Sequence, residues 1–383
     1  MIKLSTPDIG NEELQEIRKV FDSKYLVSGD KVSKFETLLK EYLNVKHVIA
    51  VSSGTAALHL ALLALDIGSG DEVIVPDFTF PATANVVENV KADCKFVDIS
   101  LNTFCIDEER IEEVITEKTK AIIPVQEFGQ CCNMDSIMNI AKKYNLKVIE
   151  DAACALGSEY NGKKIGTIGD VGCFSLHPRK AITTGEGGIV VTNDDSIAEK
   201  IRITLNHGLT YINGKPDFVL PGLNYRMTNI QGAIGIIQMK KLEKINNSRK
   251  EQVEIYNKLL NKNDKIKIPI EKPYGKHVWQ TYHVLLDESV DRDKVIKRLK
   301  ENGIECNFGA YSVHSQSYYK NKYNCDQSKY KNSTYAFKYG LALPLHGELK
   351  YDDLKYITDT LKEILWRKNF TYNGYKDILI RMN

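Results

Sequence analysis

Val148-Ile149-Glu150-Asp151 and, with its lysine 29 residues beyond Asp151, Phe174-Ser175-Leu176-His177-Pro178-Arg179-Lys180 are the stretches that decide the fold. The first is a short, continuous apolar run closed by an acid. The second leaves an apolar run, passes a lysine, and is followed by Gly185-Glu186-Gly187-Gly188 and a further apolar run, Ile189–Thr192. Runs that are continuous rather than alternating belong to strands buried on both faces. They predict a mostly parallel sheet flanked by helices, an α/β fold. In such sheets the carboxyl ends of the strands present the ligand-binding groups.

Working outward, the chain alternates in the same sense. Strands are expected at His47–Val51, Glu72–Pro76, Lys95–Asp98, Ala121–Val125 and Lys147–Asp151. Helices are expected at Asn11–Asp22, Val32–Tyr42, Thr55–Leu65, Ala82–Asn89 and Met134–Tyr144. Gly172–Ser175 and Ile189–Thr192 read as two strands around the lysine loop. A long helix from Asn229 to about Leu260 leads into a second, smaller α+β domain. There Tyr282–Leu286 reads as a strand, with helices at Asp293–Asn302 and Lys350–Leu365. The expected division is 1–245 and 246–383, with Asn261–Lys267 as the hinge or surface-loop candidate.

Composition excludes several function classes. The 383 residues carry a net charge of +2, which gives no reason to expect a nucleic-acid partner. Eight cysteines are scattered without a Cys-x-x-Cys pair, so no metal site is expected. The amino terminus lacks a charged lead with an apolar core, and no run is long enough to span a bilayer. The expectation is a cytoplasmic protein with free thiols. No Gly-x-Gly-x-x-Gly follows the first strand, which argues against a nicotinamide dehydrogenase.

Lys180 and Asp151 together are what a pyridoxal phosphate enzyme needs. The amine condenses with the cofactor aldehyde, and the aspartate keeps the pyridine nitrogen protonated so that the ring accepts electrons. Ser52-Ser53-Gly54-Thr55-Ala56-Ala57-Leu58 opens a helix, whose unpaired N–H groups suit a phosphate. Pro76-Asp77-Phe78-Thr79-Phe80-Pro81 places aromatics at a strand end, where one could cover a flat ring. Each element taken singly has a plainer reading. The serine run is also an ordinary helix cap, Phe78 and Phe80 are also packing aromatics, Asp151 is also a cap for Ala152 onward, and His177 is also a packing histidine.

In combination the chain resembles the DegT/StrS family of pyridoxal-phosphate sugar aminotransferases, within the fold type I aminotransferases. The resemblance is carried by Ser53–Leu58, Gly70-Asp71-Glu72-Val73-Ile74, Glu150-Asp151-Ala152-Ala153, Phe174–Lys180, Thr184–Gly188 and Asn224-Tyr225-Arg226-Met227, and it runs from about residue 2 to 365. It implies a large cofactor-binding domain with a seven-stranded-type sheet and a smaller C-terminal domain. It implies Lys180 as the Schiff-base lysine and proton shuttle, and Asp151 as the partner of the ring nitrogen. Phe80 would stack on the ring, while Gly54, Thr55, Ala56 and Ser175 would hold the phosphate. Asn224 would reach the phosphate of a neighbouring subunit in a homodimer. Ser28, Gly29, Glu186, Arg226, Tyr311 and His314 are the candidates for substrate contact.

The chain departs from the family pattern in places. Cys154 stands where Gln or His usually faces the cofactor's phenolic oxygen, so it is either a ring contact or a small packing residue turned away. Gln126-Glu127-Phe128-Gly129 lacks the usual histidine, and Leu176 replaces a frequent Phe. The implied reaction is transamination from L-glutamate to a nucleotide-linked keto-sugar, most often of the 4-keto-6-deoxy type. A 3-keto-sugar nucleotide or a small phosphorylated ketone is the alternative acceptor. The dehydratase branch of the family replaces the lysine by histidine, and Lys180 argues against it. A non-catalytic regulator on this fold would carry an added DNA-binding segment, and none is read here.

Overall fold

The computed structural model describes residues 1–366. Its central sheet is formed by β1 (His47–Val51), β2 (Glu72–Pro76), β3 (Asp93–Val97), β4 (Thr119–Ile122), β5 (Lys147–Asp151), β6 (Val171–Ser175) and β7 (Gly188–Thr192). The seven strands lie in the order β1-β7-β6-β5-β4-β2-β3. Only β7 runs antiparallel to its neighbours, pairing with both β1 and β6. The expected pair around the lysine loop is therefore β6 and β7, joined by residues 176–187.

Strand residues alternate between two apolar layers. Val48, Ala50, Ile74, Ile122, Val148, Phe174 and Val191 point one way. They meet α2 (Asp30–Leu43), α5 (Met134–Tyr144) and the start of α7 (Asn229–Leu260). Ile49, Val73, Val75, Ala121, Ile149, Cys173 and Val190 point the other way, against α3 (Gly54–Ala64), α4 (Ala82–Asn89) and α6 (Asp195–Thr204). This is why the runs are continuous: both faces are covered.

The expected strand Ala121–Val125 is shorter in the structure, ending at Ile122. Pro124 has no N–H to give to a ladder, and only an isolated bridge, Val125 to Asp151, continues the pairing. The hairpin Leu209–Ile212/Lys215–Phe218 was not read from the sequence. Its signal is the Asn213-Gly214 turn, with both residues at positive φ.

The smaller domain builds on a three-stranded antiparallel sheet of Ile266–Lys267, Tyr282–Leu286 and Gly340–Leu343. Helices Arg292–Glu301 and Tyr351–Trp366 cover it together with the end of α7. The division drawn at residue 245 falls inside α7, which runs unbroken from one apolar core to the other. The N-terminal segment also joins the smaller domain: Ile2 N–H bonds Gly303 O at 2.7 Å, and Leu345 N–H bonds Leu4 O at 3.1 Å. The remainder of the expected second domain, 367–383, lies outside the described residues.

Close packing of α7 on α2 requires small residues. A Cβ on Gly232 would lie 2.7 Å from Val32 N, and one on Gly235 would lie 2.8 Å from the Phe35 ring. Gly235→Val is expected to cost about 1–3 kcal/mol by overpacking. The cost appears as a lower urea midpoint with unchanged slope; a midpoint equal to wild type would show that the contact yields freely.

Candidate active site

Asp151 ends β5 and is buried; its Oδ2 accepts the Thr83 hydroxyl at 2.7 Å and its Oδ1 the Ala153 N–H at 3.1 Å. Burial raises its pKa above the usual carboxylate value, while those two donors and the charge on Lys180 pull it back. Glu150, one residue earlier, faces the other side of the sheet. It accepts N–H bonds from Gly166, Ile168 and Gly169 at 2.7–2.9 Å and clips that loop to β5. Strand alternation thus gives neighbouring acids unrelated tasks.

Lys180 sits in a tight turn, its N–H bonded to His177 O at 2.8 Å. Its Nζ donates to Cys154 Sγ at 3.1 Å, and both residues line a single cavity with Phe80, Glu127, Gln280 and Asn307. Cys154 is therefore on the pocket wall rather than turned away. The carbonyl of Lys180 accepts from the buried Arg249 at 3.4 Å. Burial lowers the Arg249 guanidinium to about 10, and its Nε and Nη1 have no partner among the described residues.

The amino end of α3 meets the end of β6. A Cβ on Gly54 would fall 2.8 Å from Ser175 Cβ, and one on Gly188 only 2.2 Å from Ser53 O. Bare backbone at both places lets the helix start against the sheet edge. Ser53 caps the Ala56 N–H at 3.0 Å, while the first-turn N–H groups of Gly54 and Thr55 have no intrahelical acceptor. Thr55 is exposed and Ser175 half-buried, so N–H groups, a helix dipole and two hydroxyls gather at one mouth. This donor set fits a phosphate dianion, and Asp151 fits a protonated ring nitrogen. The two aromatics separate cleanly. Phe78 is a core residue packed on Phe104 and Phe128, whereas Phe80 is 59% exposed and lines the cavity.

The remaining candidates divide. Asn224 is exposed beside Tyr225, whose carbonyl accepts the Ser52 N–H at 2.8 Å, so it lies alongside the run that opens α3. Tyr311 packs edge-on to Phe80 with ring centres 6.2 Å apart. Ser28 and Gly29 lead into α2, the Glu186 carbonyl receives the Thr184 hydroxyl and the Gln231 amide, and Arg226 donates to Asn206 at 2.7 Å. None of these four lines the cavity. His314 is buried, bonded to Asp77 Oδ2 at 2.7 Å and stacked on Tyr330. Its inward orientation has a simple cause: Asp77 is fully buried and needs donors, which His314, Ser312 and Ser333 supply.

Glu127, and not its neighbour Gln126, lines the cavity. Gln126 turns away, its Nε2 reaching Glu150 and Met134. Glu127 turns inward, held by the Thr79 hydroxyl and the Phe128 N–H. The signal was an acid inside an apolar strand end, just before Phe128 at φ 55°. Burial pushes its carboxyl up to about 8; Lys180 opposes the rise and Asp151 adds to it.

The sequence pattern of the DegT/DnrJ/EryC1/StrS aminotransferase family matches residues 7–362. The chain belongs to this family. It is 39% identical to the GDP-perosamine synthase of Caulobacter vibrioides over 368 residues, covering 95% of this chain and 98% of that protein. Its fold matches Spr1654 from Streptococcus pneumoniae in the PLP form, with TM-score 0.90, 30% identity and coverage of 95% and 98%. It also matches Helicobacter pylori PseC, an aminotransferase involved in the biosynthesis of pseudoaminic acid, with TM-score 0.89, 29% identity and coverage of 94% and 98%. The family member described here is a sugar aminotransferase dependent on pyridoxal phosphate. No helix among the described residues is long and apolar enough to cross a membrane, and no group of metal-ligating side chains is gathered among them.

The raised Glu127 pKa fixes a sign. Folded Glu127 keeps its proton up to about 8, whereas unfolded chain loses it near the ordinary 4.5, so its contribution to stability is lost as pH rises across that window. Glu127→Gln is therefore expected to gain on wild type between pH 5 and 8.5, by on the order of a few kcal/mol. Thermal melts without added cofactor read this; a constant difference across the range would mean that Glu127 ionises as an ordinary carboxylate.

Proposed function

We propose that this enzyme transfers an amino group from L-glutamate to a nucleotide-linked keto-sugar of the 4-keto-6-deoxy type. The observation that carries the transfer chemistry is the meeting of Lys180 and Asp151 at one sheet edge, with a phosphate-type cradle beside them. The sugar assignment draws on the likeness to GDP-perosamine synthases across nearly the whole chain.

Pyridoxal phosphate, when bound, supplies an aldehyde that condenses with amines and a ring that accepts electrons from the substrate carbon. Lys180 would hold the cofactor through its amine and would move the proton at the substrate carbon. Asp151 would hold the proton on the ring nitrogen, and Phe80 would cover the ring. Gly54, Thr55 and Ala56 with Ser175 would hold the phosphate, and Cys154 would face the phenolic oxygen. Asn224 completes the phosphate site of a second copy, so the working unit is a homodimer in the cytoplasm.

Wild type incubated with L-glutamate and a GDP-linked 4-keto-6-deoxy sugar is expected to form amino-sugar and 2-oxoglutarate in equal amounts. Lys180→Ala should lose turnover below detection while keeping its circular-dichroism spectrum. Turnover confined to small phosphoketones would sink the nucleotide-sugar assignment. Asn224→Ala should weaken cofactor retention roughly ten- to hundredfold, the loss of one hydrogen bond to a charged group. Sedimentation of wild type should give a dimer, and an active, stable monomer would contradict the shared site.

A further inference from the structure

Arg179 brings a permanent positive charge to the reaction cavity, which it lines with Lys180, Phe80 and Asn307. Among the described residues its guanidinium has no hydrogen-bond or ion-pair partner; only its backbone is engaged. That backbone is fixed at both ends. The Arg179 N–H donates to His177 Nδ1 at 3.2 Å, and its carbonyl accepts Gln280 Nε2 from the smaller domain at 2.9 Å. Arg179 adjoins Lys180 in the chain, and the two residues line the same cavity.

An exposed arginine is ordinarily a solvated charge, but the cavity's charge balance argues otherwise here. Glu127 is the carboxylic side chain on the wall, and burial pushes it up to about 8. Near neutral pH it is mostly uncharged, and the cavity favours an anion. The two substrates of an aminotransferase carry their anions at different places. An α-amino acid has its carboxylate on the very carbon that bears the transferred nitrogen. A nucleotide-linked keto-sugar has its diphosphate across the sugar ring from the reacting carbonyl. A cation that lines the same cavity as the reacting lysine is suited to the first rather than the second. A guanidinium also matches a carboxylate with two parallel N–H bonds.

We propose that Arg179 binds the α-carboxylate of the amino donor and thereby selects α-amino acids over other amines. This rests on the proposed amino-acid donor and adds the group that recognises it. The test compares wild-type, Arg179→Gln and Arg179→Lys holoenzymes in the two half-reactions, followed by absorbance. The donor half uses L-glutamate. The acceptor half uses pyridoxamine-loaded enzyme with a GDP-linked 4-keto-6-deoxy sugar. Calorimetry with α-methyl-L-glutamate, which lacks the α-hydrogen, reads donor binding without turnover. Arg179→Gln is expected to weaken binding of both glutamates roughly ten- to hundredfold and to leave the sugar half unchanged. Arg179→Lys should fall between, keeping the charge without the fork. Unchanged donor affinity in Arg179→Gln, or equal losses in both halves, overturns the assignment. So does a wild type that accepts 4-aminobutyrate, which has no α-carboxylate, as readily as L-glutamate. A wild type that instead takes nitrogen from another α-amino acid removes L-glutamate as donor, and the same comparison on that donor decides Arg179.

Discussion

A carboxylate sealed at the end of a parallel strand needs a cation, and Asp151 is such a carboxylate. Withdrawing an ion from water costs several kcal/mol even after relaxation. Thr83 and Ala153 return part of this through hydrogen bonds, yet the pKa of Asp151 still stands above its ordinary value. On the proposed function, the protonated ring nitrogen of pyridoxal phosphate would be that cation. The sheet exists in a form that allows it: β5 lies between β4 and β6, with apolar layers on both faces, so Asp151 is buried at the strand end.

The rest of the site follows from that position. The chain leaves β6, turns at His177–Lys180, and returns as the antiparallel β7, which brings Gly188 beside Ser53. Only a residue without a side chain lets these backbones approach. The amino end of α3 therefore meets the sheet edge at the end of β6, the strand that leads into the Lys180 turn. The smaller domain supplies the opposite wall. Gln280 is tied to the Arg179 carbonyl, and the buried Asp77 joins the strand end to Ser312, His314 and Ser333. That wall sets neutral polar groups and the Arg179 side chain along the cavity that Lys180 lines.

Much of this was legible in the residues. Continuous apolar runs gave the sheet, because burial on both faces leaves no room for alternation. The positions of Asp151 at a strand end, Lys180 in the turn after β6 and Ser53–Ala56 at a helix start were legible because strand and helix boundaries carry their own sequence signals. The inward turn of Glu127 was not, since strand alternation near a positive-φ residue is decided by the turn itself. His314 looked available as a polar residue in a loop, and only the burial of Asp77, more than two hundred residues away in sequence, explains its inward orientation. The boundary at 245 was drawn inside a helix because a long amphipathic stretch carries no mark where its partner changes from one core to another.

The central claim is that the amine of Lys180, and no other lysine, is the covalent partner of the cofactor opposite Asp151. Sodium borohydride reduction of the cofactor-loaded protein, followed by proteolysis and mass spectrometry, tests it most directly. The account predicts a single pyridoxyl group on the peptide that contains His177-Pro178-Arg179-Lys180, at Lys180. A pyridoxyl group on any other lysine, with Lys180 unmodified, would contradict it.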